Sequence, residues 1–167
     1  MRAGIVTFLC TFLTLSAHPN DAQWSQDPSV RGYYAGLLRA GGLGLTRWEA
    51  AAFLLLPPDG RYRCVAWPFS NGRHEQKYRG SLPDFTVAIV HTHPGNAPLP
   101  STGDRATASR LGMPVIVLTP RSIYIAAADG RIIDVVKYGT WREAVRGPAS
   151  RCEPADDRSA QLHRSHR

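Results

Sequence analysis

The residues best suited to chemistry in this chain are His91, His93, Ser101 and Asp104. They run His-x-His, seven residues, Ser, two residues, Asp. Before them lies Phe85-Thr86-Val87-Ala88-Ile89-Val90, an apolar, β-branched run that reads as a buried strand. If the strand continues into the histidines, the two imidazoles stand at i and i+2, on one face of its C-terminal end. Pro94-Gly95-Asn96 then turns the chain into a loop. Ser101-Thr102-Gly103-Asp104 opens a short helix over Arg105–Leu111 that stops at Gly112. The ordinary reading of these residues is two solvated histidines beside a Ser-x-x-Asp capping box. The chemical reading is two imidazoles faced by a carboxylate from the helix's first turn. That is the ligand set of a catalytic Zn²⁺, with three protein ligands and a fourth position left for water. Four specified residues at fixed spacing favour the chemical reading, and one aspartate can serve both as cap and as ligand.

His91-Thr92-His93-Pro94, Ser101 and Asp104 together resemble the signature of the JAMM metallopeptidases, the catalytic branch of the JAB/MPN domains. That family includes the deubiquitinase of the proteasome lid and many small bacterial proteins. Its motif also calls for a glutamate well upstream, near the start of an earlier strand. Glu49-Ala50-Ala51-Ala52-Phe53-Leu54-Leu55-Leu56 stands in that place. It resembles the family's Glu-x-x-Gly-x-Leu-x-Gly, with Ala52 and Leu56 where glycines are common. Glu75 is the rival, but it lies in a polar stretch nearer to His91. The resemblance spans roughly residues 45 to 135.

The resemblance implies that His91, His93 and Asp104 are metal ligands and that Glu49 and Ser101 are catalytic. Neutral imidazoles and an ionised carboxylate would hold Zn²⁺ at about 2.0–2.2 Å, and a water there would have its pKa lowered toward 7. Glu49 would act as general base and then acid, and Ser101 would steady the oxyanion. Thr92, on the opposite face of the strand, is expected to be structural. The implied reaction is hydrolysis of a peptide or isopeptide amide, with a protein or peptide as the substrate. The alternative is a non-catalytic, exported metal-holding or protein-binding module of the same fold. The complete ligand set argues against that alternative, and the altered surroundings of Glu49 argue for it.

These residues need a framework. Ser29 to Ala40 has apolar residues at Val30, Tyr33, Tyr34, Leu37 and Leu38, the spacing of an amphipathic helix. Asp27 or Ser29 could cap it, Gly41-Gly42 stops it, and Gly32 and Gly36 would let it approach the sheet. Glu49–Leu56 and Arg61–Trp67 flank the turn Pro57-Pro58-Asp59-Gly60 and suggest a hairpin. Residues 70–81 read as a surface loop. After the metal stretch come strands over Met113–Leu118, Ser122–Ala127 and Arg131–Val136, with a short helical end around Trp141. The expected fold is α/β, a single domain with a mixed, mostly antiparallel sheet flanked by helices. That agrees with the JAB/MPN-like domain which the resemblance implies.

The ends carry a different signal. Met1-Arg2, the apolar run Ala3 to Leu15, and Ser16-Ala17 have the layout of a secretory signal peptide within residues 1–22, cleaved after Ala17 or Ala22. The domain is then expected over 23–148, with a polar, disordered tail over 149–167. The protein would be exported, periplasmic or secreted, with no membrane span in the mature chain, because the leader is too short to span comfortably. Cys10 leaves with it, and Cys64 and Cys152 remain, either as a disulfide tying the C-terminal segment to a strand or as two unrelated thiols. The 43% hydrophobic content supports a packed core. The net charge of +7 is almost all arginine. These arginines are scattered rather than clustered with aromatics, so nucleic acid is not the expected partner. Oligomeric state has no signature in the sequence.

Overall fold

The computed structural model describes residues 24–46, 48–67, 81–94, 97–136, 141 and 149–154. The leader expected over 1–22, the polar loop with Glu75, and most of the segment around Trp141 lie outside the described residues.

Helix α1 covers Pro28–Ala40. Its first turn is closed by Asp27, whose carboxylate accepts from the backbone N–H of Ser29 at 2.8 Å and of Val30 at 3.4 Å. Pro28 costs nothing in the first turn, where its missing N–H has no partner to lose. The strands are β1 Ala51–Leu55, β2 Arg63–Ala66, β3 Thr86–Thr92, β4 Val115–Leu118, β5 Ile123–Ala126, β6 Ile132–Val136 and β7 Glu153–Pro154. Helix α2, Thr102–Leu111, connects β3 to β4. Together they make one seven-stranded sheet in the order β6-β5-β4-β3-β1-β2-β7. The pairs β3–β4 and β2–β7 are parallel, and the other four are antiparallel. This is the α/β architecture with a mixed sheet read from the sequence.

The sheet is buried on both faces. On one, Val30, Tyr34, Leu37 and Leu38 of α1 pack over Ala52, Leu54, Val90, Ile116 and Ile125. On the other, Phe53, Leu55, Ile89 and Val115 meet Ala108 of α2. Double burial explains why β1 and β4 read as unbroken apolar runs instead of alternating patterns. It also fixes the register of β3, since a slip of one residue would exchange the two faces. Ile89, and with it His91, faces the α2 side. Among the described residues no helix is long and apolar enough to cross a membrane.

Two expectations need correction. Gly32 and Gly36 do not admit the sheet. They admit the C-terminal segment, because a Cβ on either would run into Ser150. Residues 149–154, expected to open a disordered tail, are also built into the fold. Cys152 is disulfide-bonded to Cys64, and Glu153 and Pro154 pair with Val65 and Ala66 at the sheet edge. The covalent tie and the edge pairing order a stretch whose side chains are too polar to bury themselves. Trp141 is buried against Tyr34, and its Nε1–H donates to the Thr119 carbonyl at 3.1 Å.

Candidate metal centre

Strand β3 ends at Thr92 in the middle of the sheet, with α2 starting above its C-terminal end. Beside a parallel pair joined by a helix, this is where ligands commonly sit. His91 and His93 emerge there, both buried. His91 lies opposite Ala51 of β1, whose small side chain leaves the imidazole room on that face. Thr92, between them, points the other way. Its Oγ1 accepts from Ala50 N–H at 2.9 Å, and its own N–H donates to the Ala50 carbonyl at 2.9 Å. This double link fixes the residue next to Glu49 against the strand that carries the histidines. It gives Thr92 the structural part expected of it.

Asp104 arrives from the other element. Ser101 is the N-cap of α2, and a full capping box forms. Ser101 Oγ accepts from Asp104 N–H at 3.1 Å, and Asp104 Oδ2 accepts from Ser101 N–H at 2.6 Å. The box orients the carboxylate toward the histidines. Asp104 Oδ1 lies 3.3 Å from His91 Nε2, Oδ2 lies 3.5 Å from His93 Nε2, and the two Nε2 atoms are 3.0 Å apart. Cap and candidate ligand are therefore one residue using its two oxygens.

These separations can be tested against a cation. Two ligand atoms each about 2.1 Å from a tetrahedral ion lie about 3.4 Å from each other. The contacts of 3.0 Å between the two Nε2 atoms, 3.3 Å from Oδ1 to His91 and 3.5 Å from Oδ2 to His93 lie near that value, and one ligand atom from each residue falls within 4.8 Å of the others. His93 Nδ1 stands 2.9 Å from the Ala97 carbonyl, which can only accept, so Nδ1 carries the hydrogen and Nε2 is the ligand atom. His91, His93 and Asp104 thus form a group that could hold a metal ion.

The charges agree with the geometry. Burial drives His91 down to about 4, against the pull of Asp104. Burial would also lower His93, but the Asp104 and Ala97 hydrogen bonds and the charges of Asp104 and Glu49 outweigh it and raise the group. Asp104 falls well below the usual carboxylate range. Burial opposes that fall, but the His93 bond, the His91 charge and both Ser101 bonds reverse it. The metal-free cluster therefore favours the charged form more at His93 than at His91.

Glu49 is half-buried just before β1, close enough for its charge to act on His93. Ala52, where the motif often has glycine, is fully buried and pairs with Val90, so the substitution leaves the strand in register. Glu75 lies outside the described residues. Sequence reasoning missed Ala97, because a backbone carbonyl has no residue signature. The short reach from Pro94 to Pro100 was the available hint.

A doubly covered mixed sheet with this site at the C-terminal end of its central strand defines a single JAB/MPN-like domain. The profile of the family described as prokaryotic homologs of the JAB domain matches residues 48–136, just over half of the chain, and the chain belongs to that family. No curated protein matches it.

Proposed function

We propose that this chain is a zinc metallopeptidase of the JAMM type that hydrolyses a peptide or isopeptide amide bond. The observation that carries the reading is the convergence of His91, His93 and Asp104 within 4.8 Å of one another. Two imidazoles and one carboxylate suit zinc among the common divalent ions. Zinc held there would supply Lewis-acid chemistry, polarising the amide carbonyl and lowering the pKa of a water toward 7. Glu49 takes the proton of the attacking water and hands it to the amine nitrogen as the C–N bond breaks. Ser101, held at the helix N-cap by the Asp104 N–H, would turn its hydroxyl from the Asp104 carboxylate to donate to the carbonyl oxygen as charge develops there. The Ala97 carbonyl holds His93 in the tautomer that a ligand needs.

We place the activity outside the cytoplasm, on a protein or peptide substrate. The Cys64–Cys152 disulfide supports an oxidising compartment, and the N-terminal apolar run supports export.

The test is elemental analysis of untagged protein beside a His91→Ala/His93→Ala variant, followed by hydrolysis assays on peptide and isopeptide pools. About one zinc per chain, absent from the double variant, with hydrolysis that follows zinc, is the expected result. Zinc without hydrolysis of any pool would leave the metal-holding module. Absence of zinc after reconstitution would end the metalloenzyme reading.

A further inference from the structure

Strand β1 begins at Ala51, so Glu49 precedes the sheet ladder and its direction must be set by other contacts. Two threonine hydroxyls hold the backbone on either side of it. Thr92 Oγ1 accepts from Ala50 N–H at 2.9 Å, and Thr46 Oγ1 accepts from Trp48 N–H at 3.4 Å. Both hydroxyls rest on the glycines that end α1. A Cβ on Gly41 would come within 2.5 Å of Thr92 Oγ1, and one on Gly42 would run into the Thr46 side chain. Gly42 also has a φ of 66°, which a side chain would strain. Thr46 closes the loop by donating to the Gly41 carbonyl at 3.0 Å. The end of α1, the two threonines and the two N–H groups flanking Glu49 thus form one connected set. Alternation gives the direction. Ala51 lies opposite His91 in the ladder, so the two share a face. Ala50 belongs to the core beneath α1, on the other face. Continued backward in extended form, the chain puts Glu49 with Ala51 and His91, and Trp48 with Ala50. The charge of Glu49 acts on His93, in agreement with that placement.

We propose that Thr46 is a positioning residue for Glu49. Its hydroxyl joins the Gly41 carbonyl to the Trp48 N–H and so ties the approach to Glu49 to the end of α1. Held at Trp48 by Thr46 and at Ala50 by Thr92, the backbone between them resists rotation, and the Glu49 carboxylate stays on the side of the metal group. A general base acts only within hydrogen-bond reach of the proton it takes, and a displacement of about 1 Å can cost much of the rate. The inference rests on the hydrolase reading for the use made of Glu49. The hold on its flanking N–H groups, however, can be measured without turnover.

The experiment compares Thr46→Val, which keeps the shape and removes the hydroxyl, with Thr46→Ser, which keeps the hydroxyl. In zinc-loaded protein, kcat and KM are measured on a peptide that the wild type hydrolyses, and amide hydrogen exchange is followed residue by residue. Thr46→Val should lower kcat at least about tenfold, with KM, zinc content and melting temperature unchanged. It should also speed exchange at Trp48 while leaving Leu54, inside the ladder, as it was. Thr46→Ser should return both kcat and exchange to near the wild-type values. An unchanged kcat or unchanged Trp48 exchange in Thr46→Val, or an equal loss in Thr46→Ser, would overturn the proposal. So would a loss of kcat that is matched by a loss of zinc or of melting temperature, since Thr46 would then be merely structural. If the wild type hydrolyses no peptide but the exchange results hold, the hydrolase reading falls and the hold of Thr46 on the Glu49 segment stands. Hydrolysis that is indifferent to Thr46 does the reverse.

Discussion

His91 and His93 are two residues apart and chemically identical, yet their surroundings push them in opposite directions. Burial dominates at His91, whereas at His93 the bonds to Asp104 and Ala97 win. A metal must therefore compete with a proton more strongly at His93 than at His91. We predict that zinc affinity falls as the pH is lowered, because His93 holds its proton more firmly than a free imidazole does, measured by calorimetry at a series of pH values. Affinity should rise with pH through the range where His93 loses its proton and level off above it. Affinity that does not change with pH would contradict the reading of His93. Glu49→Gln keeps the size of the side chain and removes its basicity, so hydrolysis should fall by about 10²-fold or more while zinc stays bound. Loss of zinc in that variant would contradict the role given to Glu49.

At the scale of elements, two connections position the site. One is the Thr92–Ala50 clamp and the other is the cap of α2. Thr92→Val leaves the buried Ala50 N–H without its side-chain acceptor, which should cost about 1–3 kcal/mol. It should also loosen Glu49, so chemical denaturation should show the loss and turnover should drop with zinc content unchanged. Ser101→Ala removes the cap, at about 1 kcal/mol, and frees Asp104 to turn. Zinc affinity and turnover should then fall together, as equilibrium dialysis and kinetics would show. The elements themselves were legible where their cause is local. The apolar run into His91 makes a strand wherever it lies, and Ser101 with Asp104 starts a helix by bonds within four residues. Glu153–Pro154 was not legible. It is polar, two residues long, and a strand only because a distant cysteine and the free edge of β2 receive it. Gly32 and Gly36 gave the right property, close approach, but spacing along one helix cannot say that Ser150 is what approaches.

On the scale of the whole molecule, the ligands are a local matter and the closure of the fold is not. The disulfide joins residues 88 apart and fastens the last described strand to the sheet. A cross-link over a loop of that size stabilises by about 4–5 kcal/mol in the chain-entropy account, a large share of a typical domain's stability. Reduction, or a Cys64→Ser/Cys152→Ser exchange, should therefore lower the melting temperature by at least about 10 °C. Adding reductant to the double variant should change nothing further, and an unchanged melting temperature on reducing the wild type would show that the bond carries little of the stability.

The separation of these two constraints bears on how the protein matures. His91, His93 and Asp104 are on the chain well before Cys152 is synthesised. The strand and helix that carry them need only one short crossover to meet. The contacts that set the three side chains therefore do not pass through the disulfide. Breaking the bond should thus cost stability before it costs the arrangement of His91, His93 and Asp104.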